Sequence, residues 1–166
     1  GMPTYGRVRG YFSRRGRLAG MSGKPIVIGS DHAGYDMKTM LIGALRDLGH
    51  EVLDVGCDGP GSVDYSDYGK AVAVALVAGR ADRGVAICGT GIGISIAANR
   101  HPQVRAALCH DETSARLARE HNDANVLALG GRLIGPEVAK ACLRVFLNTK
   151  FAGGRHASRV AKLGHS

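Results

Sequence analysis

Apolar and polar residues alternate along this chain in two different periods from Pro25 onward. Short runs of β-branched and apolar residues are separated by longer segments whose apolar residues recur every three or four positions, as in helices. The five strand-like runs are residues 25–29, 51–56, 84–88, 104–109 and 125–130. Because strands that alternate with helices assemble into parallel sheets, the pattern predicts an α/β fold with a five-stranded parallel sheet.

The segments between these runs predict helices with defined ends. The first places Met37, Leu41, Leu45 and Leu48 on one stripe and stops at Gly49. Further helices are predicted to begin at 64–66, after the glycines of 89–93, at the N-cap Asp111, at Pro136 and near Gly154. In the helix from Pro136, the positions expected to be buried are Val138, Cys142 and either Val145 or Phe146.

Composition favours a soluble globular protein with reduced cysteines. The chain has 166 residues, 45% of them hydrophobic, which is enough for a full core without disulfides or metal. No apolar run approaches the ~20 residues that span a bilayer, and no secretory signal is recognisable, so we expect a cytoplasmic location and no membrane partner. The cysteines, which form no C-x-x-C pair, are Cys57, Cys88, Cys109 and Cys142.

The formal net charge of +8 is concentrated at the start of the chain. Residues 1–20 hold five arginines and no acid, which leaves 17 basic and 14 acidic residues in 21–166, a net charge of +3. With 5% aromatic residues as well, nucleic acid is not expected as a partner. We predict that residues 1–23 form a disordered basic extension that includes a tag remnant, and that residues 24–166 form one domain.

Candidate chemistry is concentrated in the loops after the strands. In open α/β sheets, ligands bind beyond the carboxyl ends of the strands, where the connections change direction. The loops at these positions read GSDHAG after the first strand, CGTGIG after the third, CHDETS after the fourth and GGRLIG after the fifth. All four are polar or glycine-rich, so this end of the sheet is the predicted site.

The CGTGIG loop admits two interpretations. Gly89, Gly91 and Gly93 leave backbone amides unobstructed for a phosphate or an oxyanion, but they also suit a plain strand-to-helix turn. Neither a dinucleotide fingerprint nor a Walker loop is present. Cys88 also admits two interpretations. A thiol beside such amides is a usable base or nucleophile, whereas a thiol away from them is a small buried hydrophobe.

Other polar residues support a site only in combination. Asp31 and His32 suit contacts to sugar hydroxyls or an anion, although Asp31 also suits helix capping. Arginines match phosphate oxygens, and Arg155 and Arg159 share one helical face, although such a pair is often only a solvated surface. The remaining candidates are Thr90, His121, Asn122 and Arg132.

Five motifs in the chain resemble a known family. They are GSDHAGYDMK, DYSDYGKAVA, ICGTGIGISIAANR, AREHNDANVLALGGR and FAGGRHASRV, and they occur in order over about residues 24–163. Together they look like the B-type ribose-5-phosphate isomerases, whose sugar-phosphate isomerase family also includes galactose-6-phosphate isomerase subunits. The resemblance implies a Rossmann-like three-layer α/β/α fold and residues 24–166 as a sugar-phosphate isomerase domain. It also implies a homodimer or dimer of dimers with active sites at the interface, a C-terminal helix that reaches the partner subunit, and no metal or other cofactor.

The resemblance also implies roles for individual residues. Cys88 matches the base that moves a proton between C2 and C1 through a cis-enediolate, and His121 matches the group that opens the furanose ring. The substrate loop and oxyanion stabiliser match Gly89, Thr90, Gly91, Ile92 and Gly93. One branch of the family uses a glutamate at the position of Ile94 instead, so this chain belongs with the cysteine branch.

Substrate contacts follow in the same way. Asp31 and His32 match contacts to the sugar and its ring oxygen, and Asn122 matches a further substrate contact. The residues that match the phosphate clamp, in part donated across the dimer, are Arg132, Arg155 and Arg159. Two alternative functions remain: isomerisation of a six-carbon 6-phosphate such as allose or galactose 6-phosphate, and phosphosugar binding without catalysis.

Overall fold

The computed structural model of the chain describes residues 23–164. The predictions for residues 1–22, and for the last two residues, lie outside the described residues. The strands are β1 (Ile26–Ser30), β2 (Val52–Asp54), β3 (Arg83–Cys88), β4 (Ala106–Leu108) and β5 (Val126–Gly130). The helices are α1 (Tyr35–Asp47), α2 (Tyr65–Val77), α3 (Ile92–Ala98), α4 (Glu112–Asn122), α5 (Pro136–Asn148) and α6 (His156–Leu163). None of these helices has the length and apolar character needed to cross a lipid bilayer.

The five strands form one parallel sheet in the order β2-β1-β3-β5-β4, which confirms the predicted α/β fold. From β1 the chain goes to β2 at one edge and then crosses back to β3 on the other side of β1. The connections therefore change direction between β1 and β3. In open parallel sheets a ligand crevice lies at this point, beyond the carboxyl ends of the two strands.

Helices cover both faces of the sheet, giving the three layers that the resemblance implies. Alternate residues of each strand point to opposite faces, so the strands contribute to two separate cores. Helices α1, α4 and α5 pack on one face, where the largest buried side chain is Phe146. Helices α2 and α3 pack on the other face, around Val72 and Ile94. Cys88 belongs to this second core and so faces the layer of α2 and α3.

Two strands and one helix face differ from their prediction. The edge strands β2 and β4 each pair along three residues only, so both are shorter than their apolar runs. In α5, Val138 is exposed, contrary to the prediction, while Cys142 and Phe146 are buried as expected. At about 100° per residue, Val138 lies more than a quarter turn away from the centre of the buried stripe. That stripe is formed by Ala139, Cys142, Leu143, Phe146 and Leu147.

The cysteines are free and buried, as their spacing predicted. Burial raises the pKa of Cys109 and of Cys142 to about 11, so both are protonated thiols at neutral pH. Neither is a candidate base. Cys109 directly follows β4 and therefore lies at the same end of the sheet as Cys88, which makes it a natural comparison for that residue.

Candidate active site

The polar residues after β1, β3 and β5 come together at the carboxyl end of the sheet. The backbone N–H of Asp31 donates to the carbonyl of Ile87 at 3.1 Å, which ties the end of β1 to β3. The N–H of Gly131 donates to the carbonyl of Cys88 at 2.8 Å, and that of Arg132 to the carbonyl of Gly89 at 2.9 Å. These hydrogen bonds hold the three loops at the predicted switch point.

Cys88 ends β3 with its sulfur turned into the glycine loop. Its side chain is 4% exposed, and its Sγ accepts a hydrogen bond from the backbone N–H of Gly91 at 3.1 Å. An N–H directed at sulfur interacts more strongly with a thiolate than with a thiol, because the acceptor is then charged. Of the two interpretations of Cys88, this contact favours the reactive one.

The shape of the loop depends on Gly91. Its φ of +78° lies in the left-handed region, which residues with a Cβ rarely adopt. A Cβ at this position would also lie 2.5 Å from the side chain of Leu108 and 2.8 Å from the backbone of Leu129. The left-handed turn at Gly91 directs its N–H at the sulfur. The amide-lined loop therefore depends on glycine at this position.

Side chains surround the loop on both sides. A Cβ at Gly89 would lie 3.3 Å from Nη1 of Arg132, so the guanidinium of Arg132 lies over the start of the loop. A Cβ at Gly93 would lie 2.5 Å from the ring of Tyr65, which covers the other end. Sequence analysis missed Tyr65, although its place at the start of α2, within DYSDYG, was a usable signal.

Thr90 and Ile92 complete the loop and are both exposed. The Oγ1 of Thr90 accepts a hydrogen bond from the N–H of Ile92 at 3.2 Å. Because a hydroxyl can accept and donate at once, its own hydrogen stays available to a ligand. Thr90 is therefore held at the loop surface, where its hydroxyl can donate a hydrogen bond to a ligand.

Asp31 and His32 are fixed by their backbone surroundings. Asp31 is 6% exposed and accepts a hydrogen bond from the N–H of Gly34 at 3.1 Å, which confirms the capping interpretation. The Nδ1 of His32 lies 3.1 Å from the backbone N of Val63 and 3.2 Å from its carbonyl oxygen. One of these groups pairs with Nδ1 in either neutral tautomer, so Val63 anchors the ring.

Four other candidates lie at the opposite end of the sheet. In a parallel sheet, α4 returns the chain to the amino ends of the strands, and its last turn, with His121 and Asn122, directly precedes β5. The five residues of β5 span roughly 13 Å at 3.3 Å per residue. Arg155 and Arg159 are on the same side, because the ring of His156 in α6 stacks on His121. One chain therefore does not bring these four residues to Cys88.

The amino-end residues form a positively charged cluster. The rings of His121 and His156 lie 4.4 Å apart between centroids, with 17° between their planes. Burial lowers the pKa of His156, and the positive groups of His121, Arg155 and Arg159 lower it further. Sequence analysis did not single out His156, although it stands between the two arginines in GGRHASR.

These features define a class of protein. Within residues 23–164 there is no cluster of three or more His, Cys, Asp or Glu side chains that could hold a metal ion. The switch point instead offers a thiol with an amide donor, a guanidinium and a buried carboxylate. The chain is thus a Rossmann-like α/β protein whose site suits proton transfer on a small anionic molecule.

Comparison with known proteins gives the family. The family model described as Ribose/Galactose Isomerase matches residues 26–163, and the chain belongs to this family. The chain is also similar to the solved structure of ribose-5-phosphate isomerase B from Clostridium thermocellum. The two have 52% sequence identity and a TM-score of 0.83, and the match covers 84% of this chain and 95% of the other.

Two sequence relatives are similar over most of their length. Ribose-5-phosphate isomerase B of Escherichia coli K12 is 44% identical over 137 residues, which are 82% of this chain and 92% of the relative. D-erythrulose-4-phosphate isomerase of Pectobacterium atrosepticum is 43% identical over 141 residues, which are 84% of this chain and 93% of the relative. The family resemblance stated from the motifs is confirmed.

Proposed function

We propose that this protein interconverts ribose 5-phosphate and ribulose 5-phosphate, with Cys88 as the base. The relatives named ribose-5-phosphate isomerase B, at 44% and 52% identity, support the activity and substrate. The observation that carries the role of Cys88 is its hydrogen bond from the Gly91 amide, inside a loop that only glycine can form.

The proposed reaction is a proton transfer between neighbouring carbons. His121 opens the furanose ring by moving a proton between the ring oxygen and O1. The Cys88 thiolate removes the proton from C2, and the resulting negative charge is spread over the cis-enediolate oxygens. The same proton is returned to C1 while the hydroxyl proton of O2 passes to O1, which yields the ketose and regenerates the thiolate.

The loop around Cys88 stabilises the charge that this step creates. The hydroxyl of Thr90 and the loop amides other than those of Gly91 and Ile92, which already donate to Cys88 and Thr90, donate hydrogen bonds to the enediolate oxygens and are in place before the reaction. Asp31, His32 and Asn122 bind the sugar hydroxyls and ring oxygen. The phosphate is bound by the guanidinium groups, which match its oxygens in pairs; they belong to Arg132, Arg155 and Arg159.

The active site is proposed to be shared between two copies of the chain. The carboxyl-end residues around Cys88 and the amino-end cluster lie at opposite ends of one sheet, so a second copy is needed to join them. Exposed apolar side chains on α2 and α3, the two helices that begin beside the glycine loop, supply a surface for that contact; they are Tyr65, Val74, Val77, Ile92 and Ile96. The partner would place its α6, whose residues are not buried in the single chain, over this site.

Two alternatives concern the same site. The relative named for a four-carbon sugar phosphate is almost as similar as the ribose-5-phosphate isomerase from E. coli, so sugars of other lengths belong in the assay. Turnover of ribose 5-phosphate, allose 6-phosphate, galactose 6-phosphate and D-erythrulose 4-phosphate should be compared at equal concentration. We expect the highest kcat/KM for ribose 5-phosphate, while binding without any turnover would favour a non-catalytic phosphosugar module.

The decisive experiment compares two cysteine variants. Cys88→Ala should lower kcat for the conversion of ribose 5-phosphate by about 1,000-fold or more, because it removes the base. Cys109→Ala removes a thiol of similar burial at the same end of the sheet and should stay within about threefold of wild type. Equal activity in the two variants would refute the role of Cys88.

The remaining expectations stay proposals. We propose that the isomerase domain covers residues 24–166, that residues 1–23 are a basic extension without a part in the reaction, and that the protein acts in the cytoplasm without nucleic acid as a partner. Deleting residues 1–20 should leave turnover unchanged. A loss of turnover in the deletion variant would contradict this division of the chain.

A further inference from the structure

The imidazole of His156 lies flat on the imidazole of His121. His121 is in the last turn of α4 and His156 is the first residue of α6, and their stacked rings are 4.4 Å apart. Both side chains are partly buried. Within residues 23–164 no hydrogen bond to either ring is present, so the stack is the contact that defines the plane of the His121 ring.

The segment that carries α6 is attached to α4 independently of this stack. Nε of Arg119 donates to the carbonyl of Thr149 at 3.0 Å, and the N–H of Ala152 donates to the carbonyl of Glu120 at 3.0 Å. Arg119 is 4% exposed, so its contact is well shielded from water. The root of α6 is therefore held without the ring of His156.

The positive charges around the stack disfavour a proton on His156. Two stacked imidazolium ions repel each other, and the guanidinium groups of Arg155 and Arg159 add to this repulsion. The pKa of His156 is lowered by burial first and then by these positive neighbours. His156 is thus a neutral ring near pH 7, so His121 has an uncharged, flat neighbour.

We propose that His156 is a positioning residue that fixes the imidazole plane of His121 for opening of the furanose ring. The proposal rests on the proposed function, because it assigns ring opening to His121. A proton transfer requires the donor nitrogen to be within hydrogen-bond reach and correctly directed. An imidazole at a helix end with no hydrogen bond rotates freely about its side-chain bonds, and a flat neighbouring ring removes that freedom.

The test uses three variants and the conversion of ribose 5-phosphate. His156→Ala should lower kcat by about tenfold or more, with KM within about threefold, because the acid–base group loses its orientation while the phosphate site remains. His156→Phe keeps a flat ring and should recover most of the lost kcat. Ser158→Ala, an exposed substitution in the same helix, should behave as wild type.

A spectroscopic measurement tests the stack without turnover. In NMR spectra, the Cε1–H resonance of His121 should lose its ring-current shift in His156→Ala and regain one in His156→Phe. An unchanged His121 resonance in both variants would overturn the proposed stack.

Kinetics can overturn the proposal in two further ways. If His156→Ala raises KM with kcat unchanged, His156 only holds α6 in place. If His156→Phe is as slow as His156→Ala, the imidazole of His156 has chemistry of its own. Absence of turnover in the wild type would instead refute the proposed function, which keeps the two failures distinct.

Discussion

The two ends of the sheet carry opposite halves of the candidate chemistry. The carboxyl end has a nearly buried thiol, an amide-lined loop and a capped carboxylate, all held by backbone hydrogen bonds between neighbouring strands. At the amino end, His121 stacks on His156 beside two exposed arginines, and His156 is the first residue of α6, a helix that contributes nothing to the core. The rigid half suits proton transfer, whereas the exposed half suits capture of an anion from solution.

This difference is the reason for the proposal that two copies of the chain share each active site. A base that creates charge needs fixed donors around it, which the centre of a parallel sheet provides. Guanidinium groups that bind a phosphate need to reach over the substrate, which a surface helix provides. In the proposed dimer, a twofold axis would bring the carboxyl end of each copy to the amino-end cluster of the other and so form two equivalent sites.

The largest expected effect is the recovery of activity when the carboxyl-end residues are altered in one subunit and the amino-end residues in the other. Cys88→Ala and Arg159→Ala chains, co-expressed with different tags and purified on both, should give heterodimers with roughly half of the wild-type activity, because one of the two sites is intact. At a substrate concentration well below KM, Cys88→Ala alone should be nearly inactive and Arg159→Ala alone about tenfold slower than wild type. The measurement is turnover of ribose 5-phosphate per dimer at that concentration.

A matched control places both substitutions at the carboxyl end of the sheet. Heterodimers of Cys88→Ala with Arg132→Ala have no intact site if both residues act at the carboxyl end, so they should show no more activity than Arg132→Ala contributes alone. Recovery in this control as well, or in neither pair, would contradict the division of the site between subunits.

The second effect concerns the rigidity of the carboxyl end. Gly91→Ala should lower kcat by about 100-fold, because a Cβ at a φ of +78° against Leu108 displaces the amide that faces Cys88. It should also cost about 2 kcal/mol of unfolding free energy. Kinetics and urea unfolding of the same sample measure both.

Gly43→Ala is the control for the removal of a glycine. Gly43 lies on the exposed side of α1 with nothing within 4 Å of a new Cβ, so alanine should stabilise the helix by up to about 1 kcal/mol. Activity should not change. Full activity of Gly91→Ala would show that the loop geometry does not matter for the reaction.

The third effect concerns the exposed half. Arg159→Ala should raise KM for ribose 5-phosphate by about tenfold and change kcat less, because a phosphate contact contributes similarly before and during the reaction. High salt should raise the KM of the wild type in the same direction, since exposed charges are screened. A fall in kcat at constant KM would contradict a role in substrate capture.

Much of the fold could be predicted because each signal was local. Asp111 caps α4 as its position predicted, with its carboxylate accepting the N–H of Ser114 at 2.6 Å. Val138 was assigned wrongly because several apolar residues in α5 admit more than one stripe, and only packing selects one. The ends of β2 and β4 depend on strand pairing, which a single run of residues does not encode.

The site was predictable as a set of residues but not as an arrangement. Glycine spacing and the cysteine identified the loop, since those residue types have few other reasons to occur together. Nothing local indicates that His121 lies at the other end of the sheet from Cys88, because that follows from the direction of α4. His156 was missed for the same reason, as its importance comes from a contact across two helices.

The smallest expected effect separates the two thiols at the carboxyl end. Burial raises the pKa of Cys109 from its ordinary value of 9.0 to about 11, so between these values the unfolded chain releases a proton that the folded chain retains. Stability contributed by this thiol is fully present below pH 9 and is lost as the pH rises towards 11.

Between pH 8 and pH 10 the free energy of urea unfolding of wild type should therefore fall by about 1 kcal/mol more than that of Cys109→Ala, because Cys142, whose pKa is also raised to about 11, contributes its own loss to both proteins. The comparison stops near pH 10, because burial lowers the pKa of Arg83 to about 10. Above that pH the folded chain releases the Arg83 proton before the unfolded chain does, so Arg83 makes the unfolding free energy rise with pH. Equal pH dependence in the two proteins would mean that Cys109 ionises freely in the fold. The contrast between an inert thiol and a reactive one at this end of the sheet would then fail.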